Sequence, residues 1–134
     1  METNKKDPKD ILLNNFPELL SNPKYSETIE YFNDLTTIIY EDAFVPYILD
    51  LINEKNPDNQ EKLDKAFDMI EEMLDDENFN THCLAEVSFI EPFLVKLEPT
   101  KDVERYLRPK SIETARELAR KWFKIDPDTW EATA

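Results

Sequence analysis

A chain of 134 residues that contains no glycine lacks the residue on which many loops and most tight strand connections depend. Phosphate-cradling loops, dinucleotide-binding turns and type I′ hairpins need glycine's access to positive φ or its close backbone approach. The usual glycine-built nucleotide sites are therefore excluded. Nine prolines remain, together with Asn, Asp and Ser, to start and stop helices. The expectation is one all-α domain of five to seven helices packed as antiparallel hairpins, possibly resembling a short helical-repeat array, with its ordered part at roughly 7–126.

Several helix starts can be read directly. Asp7-Pro8, Asn22-Pro23 and Asn56-Pro57 each place a capping side chain before a proline at the first helical position, where a missing N–H costs nothing. After the first, Ile11, Leu12, Leu13 and Phe16 supply the apolar face, and Pro17 ends it. After the second, Ile29, Phe32, Leu35 and Ile39 recur at helical spacing, so "TTII" at 36–39 reads as helix. Asp42 is expected to cap the next helix, with Pro46 in its first turn and Phe44, Ile48, Leu51 and Ile52 inward. A fourth helix runs from 57 to about 76, a fifth over about 80–98, and a short one over about 101–107. Ser111 is expected to cap the last helix, whose inner face is Ile112, Ala115, Leu118, Ala119, Trp122 and Phe123. The loops are short, which favours helical hairpins.

The length suits a single domain able to bury most of its apolar surface without staples. Cys83 is the only cysteine, which points to a reducing compartment. The opening "METNKKDPKD" has no apolar core, and no apolar run approaches membrane-spanning length. A soluble, cytoplasmic protein with no membrane association is expected.

The net charge is −14, and it is unevenly placed. Residues 1–100 hold 8 basic and 23 acidic side chains, and residues 101–134 hold 8 and 7, including all the arginines. So negative a field repels nucleic-acid phosphates and favours a basic protein partner. In the fourth helix Leu63, Ala66, Phe67, Met69, Ile70, Met73 and Leu74 form a wide apolar stripe. Opposite them Asp64, Asp68, Glu71, Glu72, Asp75 and Asp76 make an acidic edge. Like charges at three- and four-residue spacing repel by a few tenths of a kcal/mol per pair, roughly, so something is expected to compensate. The edge reads either as a solvated face or as a docking surface for the basic partner. On the last helix Arg116, Arg120 and Lys124 form a basic ridge, which is expected to pair within the fold.

Little here supports catalysis. His82 and Cys83 are sequence neighbours, about 100° apart on a helix, and do not face each other. One His and one Cys fall short of a zinc ligand set, and an EF-hand loop needs a glycine. No catalytic residue, metal ligand or cofactor is assigned. The chain reads as a non-enzymatic binding protein. The alternative is a carboxylate-based or divalent-metal-dependent enzyme, since pairs of carboxylates could serve as acid and base.

Two phrases echo each other: "FDMIEEML" at 67–74 and "VSFIEPFL" at 87–94. The second lies in a helix that is apolar nearly all round, so Glu91 is expected to be buried and to need a partner. Arg108, Arg116 and Arg120 are the candidates, because a guanidinium offers several donors. Pro92 removes an N–H and crowds the Ser88 carbonyl, which should kink or restart the helix. Glu71, on the more polar helix, is expected to be exposed.

"FPELL" at 16–20, "AFDMIEEML" at 66–74, "VSFIEPFL" at 87–94 and "YLRPKS" before a Trp-Phe helix occur in that order. Together they resemble a family of small, acidic, helical bacterial proteins catalogued only as a domain of unknown function. The likeness covers roughly residues 10–124. This chain departs from the family pattern at Pro92 and at Arg108, where the family tends to have glycine. Members resemble immunity proteins that protect bacteria from secreted toxins. The resemblance therefore implies an immunity protein that neutralises a basic toxin, and it brings no catalytic residues.

Overall fold

Asp7, Asn22 and Asn56 each turn a side-chain oxygen onto the backbone N–H two residues ahead, at 3.0, 3.0 and 2.9 Å. Each thereby satisfies an amide that helix geometry leaves without a partner. In the computed structural model, which describes residues 7–97, 105–124 and 126, the three caps open α1 (Pro8–Asn15), α3 (Pro23–Tyr31) and a 3₁₀ turn (Pro57–Asn59). That turn leads into α6 (Gln60–Leu74). A short α2 (Glu18–Ser21) follows the break at Pro17. The protein is a single small all-α domain, and the described residues, taking continuous segments together, form seven helices.

The helix expected from 23 to 39 is broken. Phe32 ends α3, and the chain turns through Phe32–Leu35 before α4 (Thr36–Ile39) begins. Leu35 sits in that turn, 51% exposed; its helical spacing was an accident of sequence. Asp42 caps nothing. Helix α4 runs on through a π-helical turn (Tyr40–Phe44, here π1) into α5 (Val45–Glu54), so Asp42 lies inside a continuous helix.

The same device recurs 46 residues later along the chain. Helix α7 (Phe79–Ala85) passes through a second π-helical turn (Glu86–Ile90, here π2) into α8 (Glu91–Leu97). In π1 the Val45 N–H bonds to the Tyr40 carbonyl, and in π2 the Glu91 N–H bonds to the Glu86 carbonyl, both five residues back. The next residue is proline each time, Pro46 and Pro92. A proline in a regular helix has no N–H to give and its ring strikes the carbonyl four residues earlier. Widening the preceding turn relieves that crowding without stopping the helix. Pro92 therefore neither ends its helix nor restarts it.

The two π turns pack against each other at the centre of the domain. Phe44 of π1 meets Phe89 of π2 at 5.3 Å between ring centroids. Phe16 lies 5.2 Å beyond Phe44, while Phe67 and Phe93 lie 5.7 and 5.6 Å from Phe89. This run of aromatic rings joins α1, α6 and α8 through the π turns, and all five are buried. Helix 79–97 is less apolar in its setting than its sequence suggests. Val87 and Val95 are about half exposed.

Two positions show what the missing glycines cost. Lys55 ends α5 with φ 54, and Lys124 ends the last helix with φ 57. Both occupy the left-handed conformation that glycine usually supplies at helix ends, at a cost of roughly 1 kcal/mol for an ordinary side chain.

Tyrosine–carboxylate bonds tie the first half together. The Tyr25 hydroxyl donates to Asp50 and the Tyr47 hydroxyl to Glu18, with the two rings edge to face at 5.4 Å. Burial, reinforced by the neighbouring carboxylates, pushes both hydroxyls far up, so they stay donors. For Asp50 burial acts to raise the pKa, but bonds from Lys24 and Tyr25 outweigh it and hold the carboxyl below its ordinary value. A depressed carboxylate stabilises the fold above its unfolded pKa, and that contribution disappears as pH falls through the folded value. Urea stability should thus be level near neutrality and decline below about pH 4, the ordinary Asp range. Asp50→Asn should flatten part of that decline; an unchanged acid slope would show that the Tyr25–Asp50 bond contributes nothing.

Candidate functional site: the acidic face of helix α6

Helix α6 presents its carboxylates in two directions, because 3.6 residues per turn spread them around the outer half of the helix. One row, Asp64, Asp68, Glu71 and Asp75, faces the last helix, α9 (Pro109–Leu118), whose N-cap is Arg108. Arg108 donates from Nε to Asp68 and from Nη2 to Asp64, both at 2.9 Å, and from Nη1 to the Tyr106 carbonyl at 3.0 Å. The two aspartates, one turn apart, match the spread of a guanidinium fork. These bonds raise the Arg108 pKa despite partial burial, which opposes them. Lys110 Nζ reaches Asp75 at 3.1 Å, and that bond raises the lysine's pKa.

Glu71 has the most specific role. Its two carboxylate oxygens accept from the backbone N–H groups of Lys110, at 2.6 Å, and Ser111, at 3.0 Å. These amides lie in the first turn of α9, where no intrahelical acceptor exists. A carboxylate there also meets the positive end of the helix dipole. Ser111, expected as the cap, is instead the third residue of the helix. Its buried hydroxyl accepts from the Arg108 N–H at 2.8 Å and donates to the Arg108 carbonyl at 3.1 Å. So α9 is capped by a side chain from another helix.

The expected ion pair between Glu91 and Arg108 is not formed. Glu91 is half-buried at the first position of α8, and Arg108 is committed to α6. Both echoing phrases depart from expectation: Glu71, expected to be exposed, is half-buried and bonded to α9, and Glu91, expected to be buried, is half-buried. The other candidates, Arg116 and Arg120, sit on the last helix, half-buried and exposed. The pairing with α6 runs through Arg108 and Lys110, ahead of the basic ridge. Trp122, expected inward, is 64% exposed, and the side chain of Phe123 lies outside the described residues. The short helix expected over 101–107 also lies outside them, apart from its last residues.

The second row of carboxylates on α6 turns toward α1. Between the two helices runs a groove of about 1210 Å³ lined by Asp7 and Asp10 from α1 and its cap, Asp58 and Glu61 at the start of α6, and Glu72 near its end. Asp64 and Asp68 border it as well, and among the described residues Lys62 and Lys65 are its basic ones. Lys65 lies over the Phe16 ring at 4.8 Å, which holds its charge at the groove edge. Of the six acidic residues proposed from the sequence, four seat α9 and Glu72 lines this groove. Asp76 accepts from the Asn78 N–H at 2.7 Å in the turn to α7. The contribution of Asp10, Asp58 and Glu61 was not singled out, because their meeting with α6 depends on how α1 docks.

His82 bridges two acceptors, with Nδ1 2.8 Å from the Leu74 carbonyl and Nε2 3.2 Å from Glu86. It fastens α7 to the end of α6. Among the described residues no three of His, Cys, Asp and Glu are grouped to hold a metal ion, and no helix is long and apolar enough to cross a membrane.

An all-helical domain whose last helix is clasped onto an acidic central helix is thus the class that fold and site define. The chain belongs to the family described as a domain of unknown function (DUF7674), which it matches over residues 9–123, from α1 to the end of the last helix. No curated protein and no solved structure matches it.

Proposed function

We propose that this domain is a non-enzymatic binding module for a basic protein, engaged along the groove between α1 and α6. The observation that carries the reading is the groove's lining: among the described residues, seven carboxylates against two lysines, of which only Asp64 and Asp68 are paired with Arg108, in a chain of net charge −14. A concave surface of one sign focuses the field and raises the association rate of an oppositely charged partner. The clasp supports the same assignment, because it occupies the other row of α6 and leaves Asp10, Glu61 and Glu72 exposed. An immunity protein that sheathes a basic toxin is the form of such a module that the family resemblance suggests.

The test uses Asp10→Lys combined with Glu61→Lys, which reverses two of the groove's charges and removes most of its negative excess without touching the clasp. A basic partner captured from the native host should associate at least about ten-fold more slowly with this variant at low salt, and the difference should shrink as salt screens it. Unaltered association at both salt concentrations would remove the groove from the interface.

A further inference from the structure

A second concavity lies beside the α1 start, between Pro8, the first turn of α4 and the α7–π2 segment. Its volume is about 600 Å³, within the range of small-molecule sites. Among the described residues, none that line it is acidic or basic, although 34% of the chain is charged. Phe79, Leu84 and Val87 supply apolar walls, and Phe79 and Val87 remain 75% and 50% exposed at its mouth.

Two polar side chains at this cleft are nearly sealed from water. Ser88 is 2% exposed and Thr81 is 9% exposed, and both line the cleft. Among the described residues neither hydroxyl has a hydrogen-bond partner. A buried hydroxyl without a partner is unfavourable, and an occupant that offers an oxygen would relieve it. The walls are held in place independently of any occupant. The Tyr40 hydroxyl donates to the Pro8 carbonyl at 2.8 Å, Asn78 caps α7, and His82 fastens α7 to α6.

We propose that this cleft binds a small uncharged molecule with an apolar body and an oxygen acceptor. The body rests against Phe79, Leu84 and Val87, and the oxygen meets the hydroxyls of Ser88 and Thr81. A charged ligand finds no counter-charge among the described lining residues and would have to leave water unpaired. The site is separate from the acidic groove and stands whether or not the groove binds a protein.

Cys83 lines the cleft and is the only cysteine, so it reports occupancy cleanly. The probe is prodan, an uncharged naphthalene ketone whose emission moves to the blue when it leaves water. It should bind saturably at one equivalent and slow alkylation of Cys83 by N-ethylmaleimide at least about five-fold. Ser88→Ala should weaken binding about five-fold, the size of one hydrogen bond, and Thr37→Trp, which fills the cleft from its exposed wall, should abolish it. The proposal is overturned if prodan leaves the alkylation rate unchanged, or if Thr37→Trp binds prodan as the unaltered protein does. It is also overturned if Cys83 becomes protected by raising protein concentration alone, since a second copy of the chain would then be the occupant.

Discussion

Phe89→Ala is expected to lower the unfolding free energy by about 4 kcal/mol, within the range for truncating a buried aromatic ring. Phe89 is fully buried in π2 and touches Phe44, Phe67 and Phe93. It therefore joins the two π turns to α6 and α8 at one point. Its removal leaves a cavity that the neighbouring rings cannot fill, because their backbones are fixed by the turns around Pro46 and Pro92. Domains of this kind are stable by roughly 5–15 kcal/mol, so most of the margin would be lost. Val87→Ala, two residues away but half exposed, should cost about 0.5 kcal/mol or less. Urea unfolding of the two variants measures the contrast. Similar small losses would mean that the π turns do not organise the core.

Glu71→Ala should cost about 2 kcal/mol. Losing an N-terminal cap costs about 1 kcal/mol, and a charged acceptor roughly doubles the strength of each bond it makes. Two amides lose their acceptor in this variant, and Arg108 and Lys110 remain as partly exposed ion pairs that contribute little by themselves. Glu91→Ala, the matching change in the echoing phrase, should cost about 0.5 kcal/mol. The order matters more than the sizes. An effect at Glu91 equal to or larger than that at Glu71 would restore the roles that the sequence suggests and remove the structural ones.

That reversal shows where reading the sequence stops. Asp7, Asn22 and Asn56 were legible because each cap bonds two residues ahead, and local chemistry decides it. The inward rows of α6 were legible because helical periodicity decides them. Glu71 was not, since its partners are about forty residues away and backbone amides carry no sequence signal. The π turns were hidden for a related reason. A proline announces that a regular helix is impossible, but the sequence does not say whether the chain will stop, kink or widen. Phe44 packs on Phe89 between the two widened turns, and no local pattern announces a contact so distant in sequence. Leu35 had the right spacing and the wrong place, because the break after Phe32 depends on tertiary contacts rather than on a glycine or proline. The acidic edge was visible as charge, but its division into a seat for α9 and a groove toward α1 required both neighbours in position.

The central claim is that the last helix is seated on α6 by Glu71, and amide hydrogen exchange tests it most directly. First-turn amides of an ordinary helix exchange freely because nothing within the helix accepts from them. Here the amides of Lys110 and Ser111 should be protected in the unaltered protein and lose that protection in Glu71→Ala. The Arg108 amide, bonded to the Ser111 hydroxyl, should change less. Fast exchange at Lys110 and Ser111 in the unaltered protein, or protection that survives Glu71→Ala, would contradict the account.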